Sequence, residues 1–563
     1  MRHEEPRAVP LSPFQPPPGC RQPGLRRVFR YRAAGAYSAG IAMSFWAFYF
    51  LAKTALHFTG HLHMQWLPNL LLAIWVFWPV RKPHWLRLRT LAGIVCAVLL
   101  LYAESGLPSL ERAFSQAHLL AGFSTRYTLE LIGRLVSWQL LLGLAAALAV
   151  YVLLSARIRF ATFAILGILG VGLQAAWQTT QQPRNGMAAA AASVPMGTGG
   201  PAGNTTLTPD SMLTAFFDRE QQRKVVLQHP ASAFDVVVLH VCSLAWDDMT
   251  HVGLAEHPFM TQAQMVFSQF NSASSYSGPA SLRLLHGMCG QATHEGLYQG
   301  LDRSCYVFPA LEGVGYQAHG LLNHDGVYDN FAKELEERGG LGGKLQSNQG
   351  APAAYRSFDN STIFSDYGTL HQWLEKRKAL DSQAPVALYY NSITLHDGVH
   401  APDASASNSI ATYKPRLQQL LDDFARFTQE LKASGRPTVL IMLPEHGANL
   451  RGDSMQIPGM REIPTPRITL VPTLVYLLNT PTPPEPQVRV DKPVSYVDLF
   501  TLLNGMFQNS PFQAGSPSLE ARSQAMAGTD FVTDNETVTM LRMPDQRYWM
   551  RSKDSTTWVP YQP

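Results

Sequence analysis

Charge is scarce in this chain: Asp, Glu, Lys and Arg make up 15% of 563 residues, against 46% that are hydrophobic, and the net charge is only +4. No contiguous basic patch interleaved with aromatics occurs in the polar half, so an oligonucleotide is excluded from the expected partners. The first thirty residues have no apolar core. They open MRHEEPRAVPLSPFQPPPGC, polar and proline-rich, so residues 1–33 read as a disordered cytoplasmic tail and not as a cleaved signal. Cysteine is sparse too, at five residues. What the chain does have is length, too much for a single domain, and enough apolar residues to place part of it in lipid.

Those apolar residues cluster in windows at about 34–57, 64–80, 91–108, 136–155 and 161–177. At ~1.5 Å per residue each approaches or crosses a hydrocarbon core roughly 30 Å thick, which predicts an α-helical membrane domain of five transmembrane helices over 34–177. The second and fifth windows are near the short limit. Segment 106–134 is polar enough to be an external, interfacial helix. Arg26, Arg27, Arg30 and Arg32 precede the first window, Arg81, Lys82, Arg87 and Arg89 follow the second, and Arg157 and Arg159 separate the last two. The positive-inside rule puts these on the cytoplasmic side, and an odd number of spans then sends everything after about 178 to the other face.

Residues 178–209, dominated by Ala, Gly, Pro and Thr, predict a flexible linker to a soluble domain at 210–563. There FDVVVLHV (234–241), VALYYNSI (386–393) and PTVLIMLP (437–444) are near-continuous apolar runs, as parallel strands covered on both faces require. Segments such as YGTLHQWLEKRKAL (367–380) and YKPRLQQLLDDFARFTQELKAS (413–434) repeat apolar residues at helical spacing between them. The alternation predicts an α/β sandwich with a mostly parallel sheet, whose ligands bind beyond the carboxyl ends of the strands.

Chemistry is therefore sought just after each run. Cys242 follows the first, His396 the second, and Glu445 with His446 the third. A thiolate, an imidazole and a carboxylate at strand ends are a first shell for Zn²⁺. Cys20 falls in the tail and Cys96 in a span, leaving Cys242, Cys289 and Cys305 on the oxidising side. Cys289 and Cys305 are the local pair, closing a loop of about 15 residues worth roughly 3 kcal/mol on a chain-entropy estimate. Cys242 is left either bound to a metal or buried beneath the sheet. His396 in SITLHDGVH is either a hydrogen-bonded turn residue or a general acid/base or phosphate donor; with Asp397-Gly398 marking a turn, His396 and His400 are no helical zinc pair. His324 in LLNHDG carries the same two readings and leans to structure. Ser277 in NSASSYSGPASLRLLHGMCG (271–290) reads as a helix N-cap, a position that also offers free N–H groups to a phosphate. Beside a metal its hydroxyl would be a competent nucleophile, and Ser274 and Ser275 are loop residues.

The series HVCSLAWDD, NSASSYSGPASLRLLHGMCGQ, CYVF, SITLHDGVH, LPEHGANLRGDSMQIPGMREIPTP and the terminal WVPYQP resembles the bacterial cellulose phosphoethanolamine transferases, membrane enzymes that accompany cellulose synthase. The resemblance spans nearly the whole chain. It implies an alkaline-phosphatase-like α/β/α sandwich and zinc-dependent transfer of phosphoethanolamine from phosphatidylethanolamine to the glucose 6-hydroxyl of cellulose. It further implies Cys242, Glu445, His446 and Ser277 at the metal, Ser277 as nucleophile, and His396, Tyr276 and Arg461 at the active site. The implied setting is the bacterial inner membrane, N-terminus cytoplasmic and catalytic domain periplasmic, among membrane lipids and cellulose synthase subunits. Similar lipid A enzymes carry a carboxylate where Cys242 stands and threonine where Ser277 stands. The rivals are transfer to lipid A or another glycan, and a non-catalytic scaffold of the synthase complex.

Overall fold

A computed structural model describes residues 45–80, 82–105, 122–135, 138–155, 157–190, 207–379, 384–402, 408–453, 455–481 and 486–562. They fall into two units, one drawn from Met1–Ser109 and Val136–Thr198, the other from Leu110–Leu135 and Gly199–Pro563. Cys20 and the expected tail 1–33 lie outside the described residues.

The first unit is helical. Residues 45–58, Trp66–Phe77, Pro83–Glu104, Trp138–Leu154 and Phe160–Ala190 form helices, one in each apolar window. Trp46, Phe50, Leu72, Val76 and Ile168 pack in its core. Lys53 pairs with Glu104 at 2.6 Å and donates to Asn69 Oδ1 at 2.7 Å, so these buried polar groups satisfy one another. Among the described residues, two or three of the expected five spans meet the length a crossing needs. Pro83–Glu104 and Phe160–Trp177 are long and apolar enough to cross a membrane, and Thr125–Arg134 with Trp138–Leu154, bent by 56°, raises that number to three if counted as one span. Trp66–Phe77 has 12 residues, about 18 Å, well short of a hydrocarbon core. Residues 34–44 of the first window lie outside the described residues.

Two further boundaries differ from expectation. The Phe160–Ala190 helix runs on into the segment expected as linker, where the alanines from Ala188 carry the highest helix propensity. The Thr125–Leu135 helix, expected at the membrane interface, packs with the second unit.

The second unit is built on an eight-stranded sheet in the order Val488–Val490, Met265–Asn271, Leu470–Leu478, Thr438–Pro444, Asp235–Val241, Val386–Ser392, Gln317–Leu322, Leu345–Gln346. Leu470–Leu478 pairs antiparallel with both neighbours and every other pairing is parallel. The central strands 235–241, 386–392 and 438–444 are buried at every residue. Their side chains alternate between two cores: Val236 and Val238 face Phe308, Phe500 and Phe507, while Val237 and Leu239 face Trp373, Leu417 and Phe424. Helices cover both faces, so the predicted α/β sandwich with a mostly parallel sheet is the observed one, which explains the unbroken apolar runs. A four-stranded antiparallel sheet over residues 532–561 follows.

Cys289 and Cys305 form a disulfide with Cα atoms 5.0 Å apart. It ties the chain just after the Ser277–Leu285 helix to the short helix Arg303–Cys305. Replacing both cysteines by serine is expected to lower the unfolding free energy by about 3 kcal/mol relative to the oxidised wild type, read from denaturant melts of the full chain, and the difference should vanish when the wild type is reduced.

Candidate active site and metal centre

Register builds the site. Val241 lies opposite Pro444 on one side and Ser392 on the other, so Cys242, Glu445 and the 393–400 loop all leave the sheet at one level. The loops are then laced together: Glu445 N–H donates to Val241 O at 2.8 Å, Leu244 N–H to His446 O at 2.6 Å, and Cys242 N–H to Ser392 O at 2.9 Å. The buried Asp248 carboxylate accepts N–H groups from Ala245, Ala448 and Leu450, one on the first loop and two on the other. Ser243 takes a left-handed φ of 62°, costly for a non-glycine residue and held here by its bonds.

Ser277 arrives from the Met265–Asn271 strand. The helix N-cap is Tyr276, with extended φ and ψ, and Ser277 is the first helical residue. Its expected position as the cap is thus one residue off, because Tyr276 holds the extended backbone and no side-chain cap forms. The hydroxyl still faces the strand ends. Ser277 Oγ lies 3.4 Å from Cys242 Sγ and 3.4 Å from His446 Nε2, and Cys242 Sγ is 3.9 Å from His446 Nε2. One ligand atom from each of Cys242, Glu445 and His446 lies within 4.8 Å of the others.

These groups suit a cation. Burial pushes the Cys242 thiol up to about 12, reinforced by the Glu445 carboxylate, and burial also raises Glu445 itself. Burial and then the Arg461 charge hold His446 well below its ordinary value. His446 Nδ1 faces the Gly447 carbonyl at 2.9 Å, an acceptor only, so the proton sits on Nδ1 and the Nε2 lone pair points at the cluster. Asn391 Nδ2 donates to Glu445 Oε1 at 2.6 Å, whereas the buried Oε2 has no hydrogen-bond partner. Sulfur, nitrogen and oxygen donors converging on an orphaned buried carboxylate oxygen fit a borderline-soft divalent metal. Such an ion would reverse the local charge logic and ionise the thiol.

The remaining predicted residues line the same cavity of about 550 Å³: Tyr276, Ser277, His396, His446 and Arg461. Arg461 Nη1 donates to Ser243 Oγ at 2.8 Å, and Tyr276 OH to Glu462 Oε1 at 2.5 Å. His396 sits on a turn, as Asp397-Gly398 predicts, and its Nδ1 donates to Asp397 O at 2.8 Å. Burial, then the Arg461 charge, lowers it to about 4, leaving neutral Nε2 as a proton acceptor. His400 points elsewhere, with Nδ1 on Gly398 O. His324 donates to Asn391 Oδ1 and accepts from Gly326 N–H, the structural reading of that residue.

Residues 200–558 match the family described as Cellulose biosynthesis protein BcsG C-terminal domain, and residues 46–173 match the BcsG N-terminal domain. The chain belongs to the BcsG family. The BcsG protein of Escherichia coli (strain K12) is 32% identical over 546 residues, covering 92% of this chain and 96% of that one. The BcsG protein of Salmonella typhimurium (strain LT2) is 33% identical over 545 residues, with the same coverage. Among solved structures, a protein in the alkaline phosphatase superfamily from Vibrio parahaemolyticus aligns with a TM-score of 0.44 at 13% identity, covering 60% of this chain and 85% of that one. The C-terminal periplasmic domain of EcEptC from Escherichia coli aligns at 0.41 and 14%, covering 60% and 94%.

Further residues shape the site, most of them without a local sequence signal. Asn391 orients Glu445, Ser243 takes Arg461, and Asn535 donates to Ser275 Oγ at 2.6 Å while Ser275 Oγ donates to Arg461 O at 2.5 Å. Ser275 therefore fixes the Arg461 backbone and is more than a loop residue. Asn391 alone lies within a run already marked as a strand, where a polar residue among apolar ones was the available signal.

His396 also makes a pH statement. Unfolded histidine titrates near ~6.5, while the folded His396 stays neutral down to about 4. Between these values the unfolded chain binds a proton that the folded chain refuses, so this residue's contribution falls as pH drops. Relative to His396→Gln, the wild type should lose up to about 1.4 kcal/mol of stability per pH unit in that window and none above it, measured by denaturant melts at each pH.

Proposed function

We propose that this chain is a zinc-dependent phosphoethanolamine transferase that moves phosphoethanolamine from phosphatidylethanolamine to the glucose 6-hydroxyl of cellulose. The observation that carries the reading is the convergence of Ser277 Oγ with Cys242, Glu445 and His446 at the carboxyl ends of two parallel strands. Family membership supplies the cellulose pathway. The fold is read as alkaline-phosphatase-like, and the catalytic domain as periplasmic, anchored in a bacterial inner membrane beside its lipid donor and the cellulose synthase subunits, with the N-terminus cytoplasmic.

Cys242, Glu445 and His446 would hold the zinc, which when bound would lower the Ser277 hydroxyl pKa and draw charge from phosphate oxygens. Ser277 Oγ attacks the lipid phosphorus, forming a serine–phosphate ester as the bond to diacylglycerol breaks. The 6-hydroxyl then attacks that phosphorus and Ser277 leaves. In each step His396 Nε2 takes the proton of the attacking hydroxyl and passes it to the leaving oxygen, from Ser277 to diacylglycerol in the first and from the 6-hydroxyl to Ser277 in the second, and the charge of a bound phosphodiester raises its basicity for this. Arg461 and Tyr276 flank the phosphate. The cavity wall also suits an ammonium group. Asp325, Glu334 and Asp359 line it beside Tyr298 and Phe331, and a Cβ on Gly278, next to Ser277, would sit 3.0 Å from the Glu334 carboxylate. Acidic and aromatic groups favour a cationic headgroup over an anionic glycerophosphate or sulfate ester.

Mass spectrometry after brief exposure to phosphatidylethanolamine should find phosphoethanolamine on the Ser277 peptide, and a label on another residue would sink the assignment. Ser277→Ala should cut transfer by at least about 1000-fold. Modified cellulose made at an unchanged level in cells carrying only that variant, with no zinc in the purified protein, would favour the scaffold instead. Because Asn391 holds Glu445, Asn391→Ala should weaken zinc affinity roughly 10–100-fold in competition with a chelating dye.

A further inference from the structure

Residues 122–135 stand in chain order between the Pro83–Glu104 and Trp138–Leu154 helices, within the span of the N-terminal family match, yet they pack in the catalytic unit. The contact converges on Asp397, the neighbour of His396. Arg134 Nη1 and Nη2 donate to Asp397 Oδ2 and Oδ1 at 2.7 and 2.8 Å, a bidentate pair, and Tyr127 OH donates to Oδ2 at 2.8 Å. The Ser409 hydroxyl lies 2.6 Å from Asp397 Oδ1 and 2.9 Å from Glu130 Oε1, and Glu130 also pairs with Arg134. Burial would raise the Asp397 carboxyl, but the Arg134 hydrogen bonds and charge hold it well below the usual carboxylate range.

A second set of contacts is aromatic. Ser124 N–H donates to Phe358 O at 2.8 Å, Phe123 meets the Phe358 ring edge-on at 5.5 Å, and Phe358 lies 4.9 Å from the His396 ring. Gly398, at φ +78°, passes so close that a Cβ would sit 2.7 Å from the Tyr127 ring. Phe123 and Tyr127 line the cavity that holds Ser277, His396 and His446.

We propose that residues 123–134 are a working part of the active site: Arg134 and Tyr127 are positioning residues that fix the His396 turn through Asp397, and Phe123 and Tyr127 form one wall of the substrate cavity. Without this segment the catalytic domain lacks a wall and its histidine turn loses its tether. The role given to His396 rests on the proposed transfer reaction, whereas the tether itself does not.

The test uses the full chain in lipid nanodiscs, with Arg134→Ala, Asp397→Ala, their double variant, and the conservative Arg134→Lys and Tyr127→Phe. Amide hydrogen exchange at 395–400 should quicken at least about tenfold in the alanine variants, while exchange in the central strands stays unchanged. Turnover should fall about 100-fold with both phosphatidylethanolamine and a water-soluble phosphoethanolamine ester, with Arg134→Lys and Tyr127→Phe intermediate. The double variant should fall well short of the product of the two single losses, since both substitutions break the same Arg134–Asp397 pair. Unchanged exchange at 395–400 would overturn the proposal. So would loss confined to the lipid donor, which would make the segment a membrane-facing element, or exchange rising across the whole sheet, which would make it a general structural contact. A wild type that never labels Ser277 counts against the transfer reaction and leaves the exchange result standing.

Discussion

The Glu445 carboxylate is fully buried, with Asn391 on one oxygen and no hydrogen-bond partner on the other. A charge so placed costs several kcal/mol unless a counter-ion meets it; burial raises this carboxyl, and Ser277, Asn391 and Cys242, then the Arg461 charge, oppose that rise. Around this one group the rest of the centre is arranged. The thiol beside it is held protonated, the imidazole neutral, and the serine hydroxyl rests between them. The fold tolerates the arrangement because the loops carrying it are laced to one another by main-chain bonds and by Asp248, so the site does not relax by collapsing.

In the proposed transfer reaction, selectivity between donor classes is assigned to a different part of the molecule. The strand ends hold phosphate chemistry that many ester substrates would share, and the cavity wall narrows the choice through carboxylates and aromatic rings. Reaction type and substrate class are thus carried by separate elements, the parallel sheet and the helices and loops between 294 and 361. A change in one need not disturb the other.

Much of this was legible in the sequence for a physical reason. Strands buried on both faces must be apolar throughout, so 235–241, 386–392 and 438–444 stood out, and side chains just past their carboxyl ends meet because parallel register aligns those ends. Cys242, Glu445, His446 and His396 followed from that rule alone. Ser277 was placed one residue from its true position in the helix start, since the extended Tyr276 backbone has no signature in residue type. The Arg134–Asp397 pair joins positions hundreds of residues apart, and a polar helix next to apolar windows looks interfacial until its partners are seen. Span number was the other weak point. Hydropathy marks where apolar helices lie, but their length was overestimated where turns cut them short, as at Trp66–Phe77.

The docking of 122–135 into the catalytic unit also sets a parity. A segment packed into that unit lies on the same side of any membrane as residues 207–562, so the chain between them makes an even number of crossings. The described helices in that interval are Trp138–Leu154 and Phe160–Ala190. If Phe160–Trp177 crosses, an even number asks for a second crossing in the same stretch, and Trp138–Leu154, with 17 residues, is the other apolar helix described there. A contact outside the membrane thereby constrains passages that hydropathy leaves open.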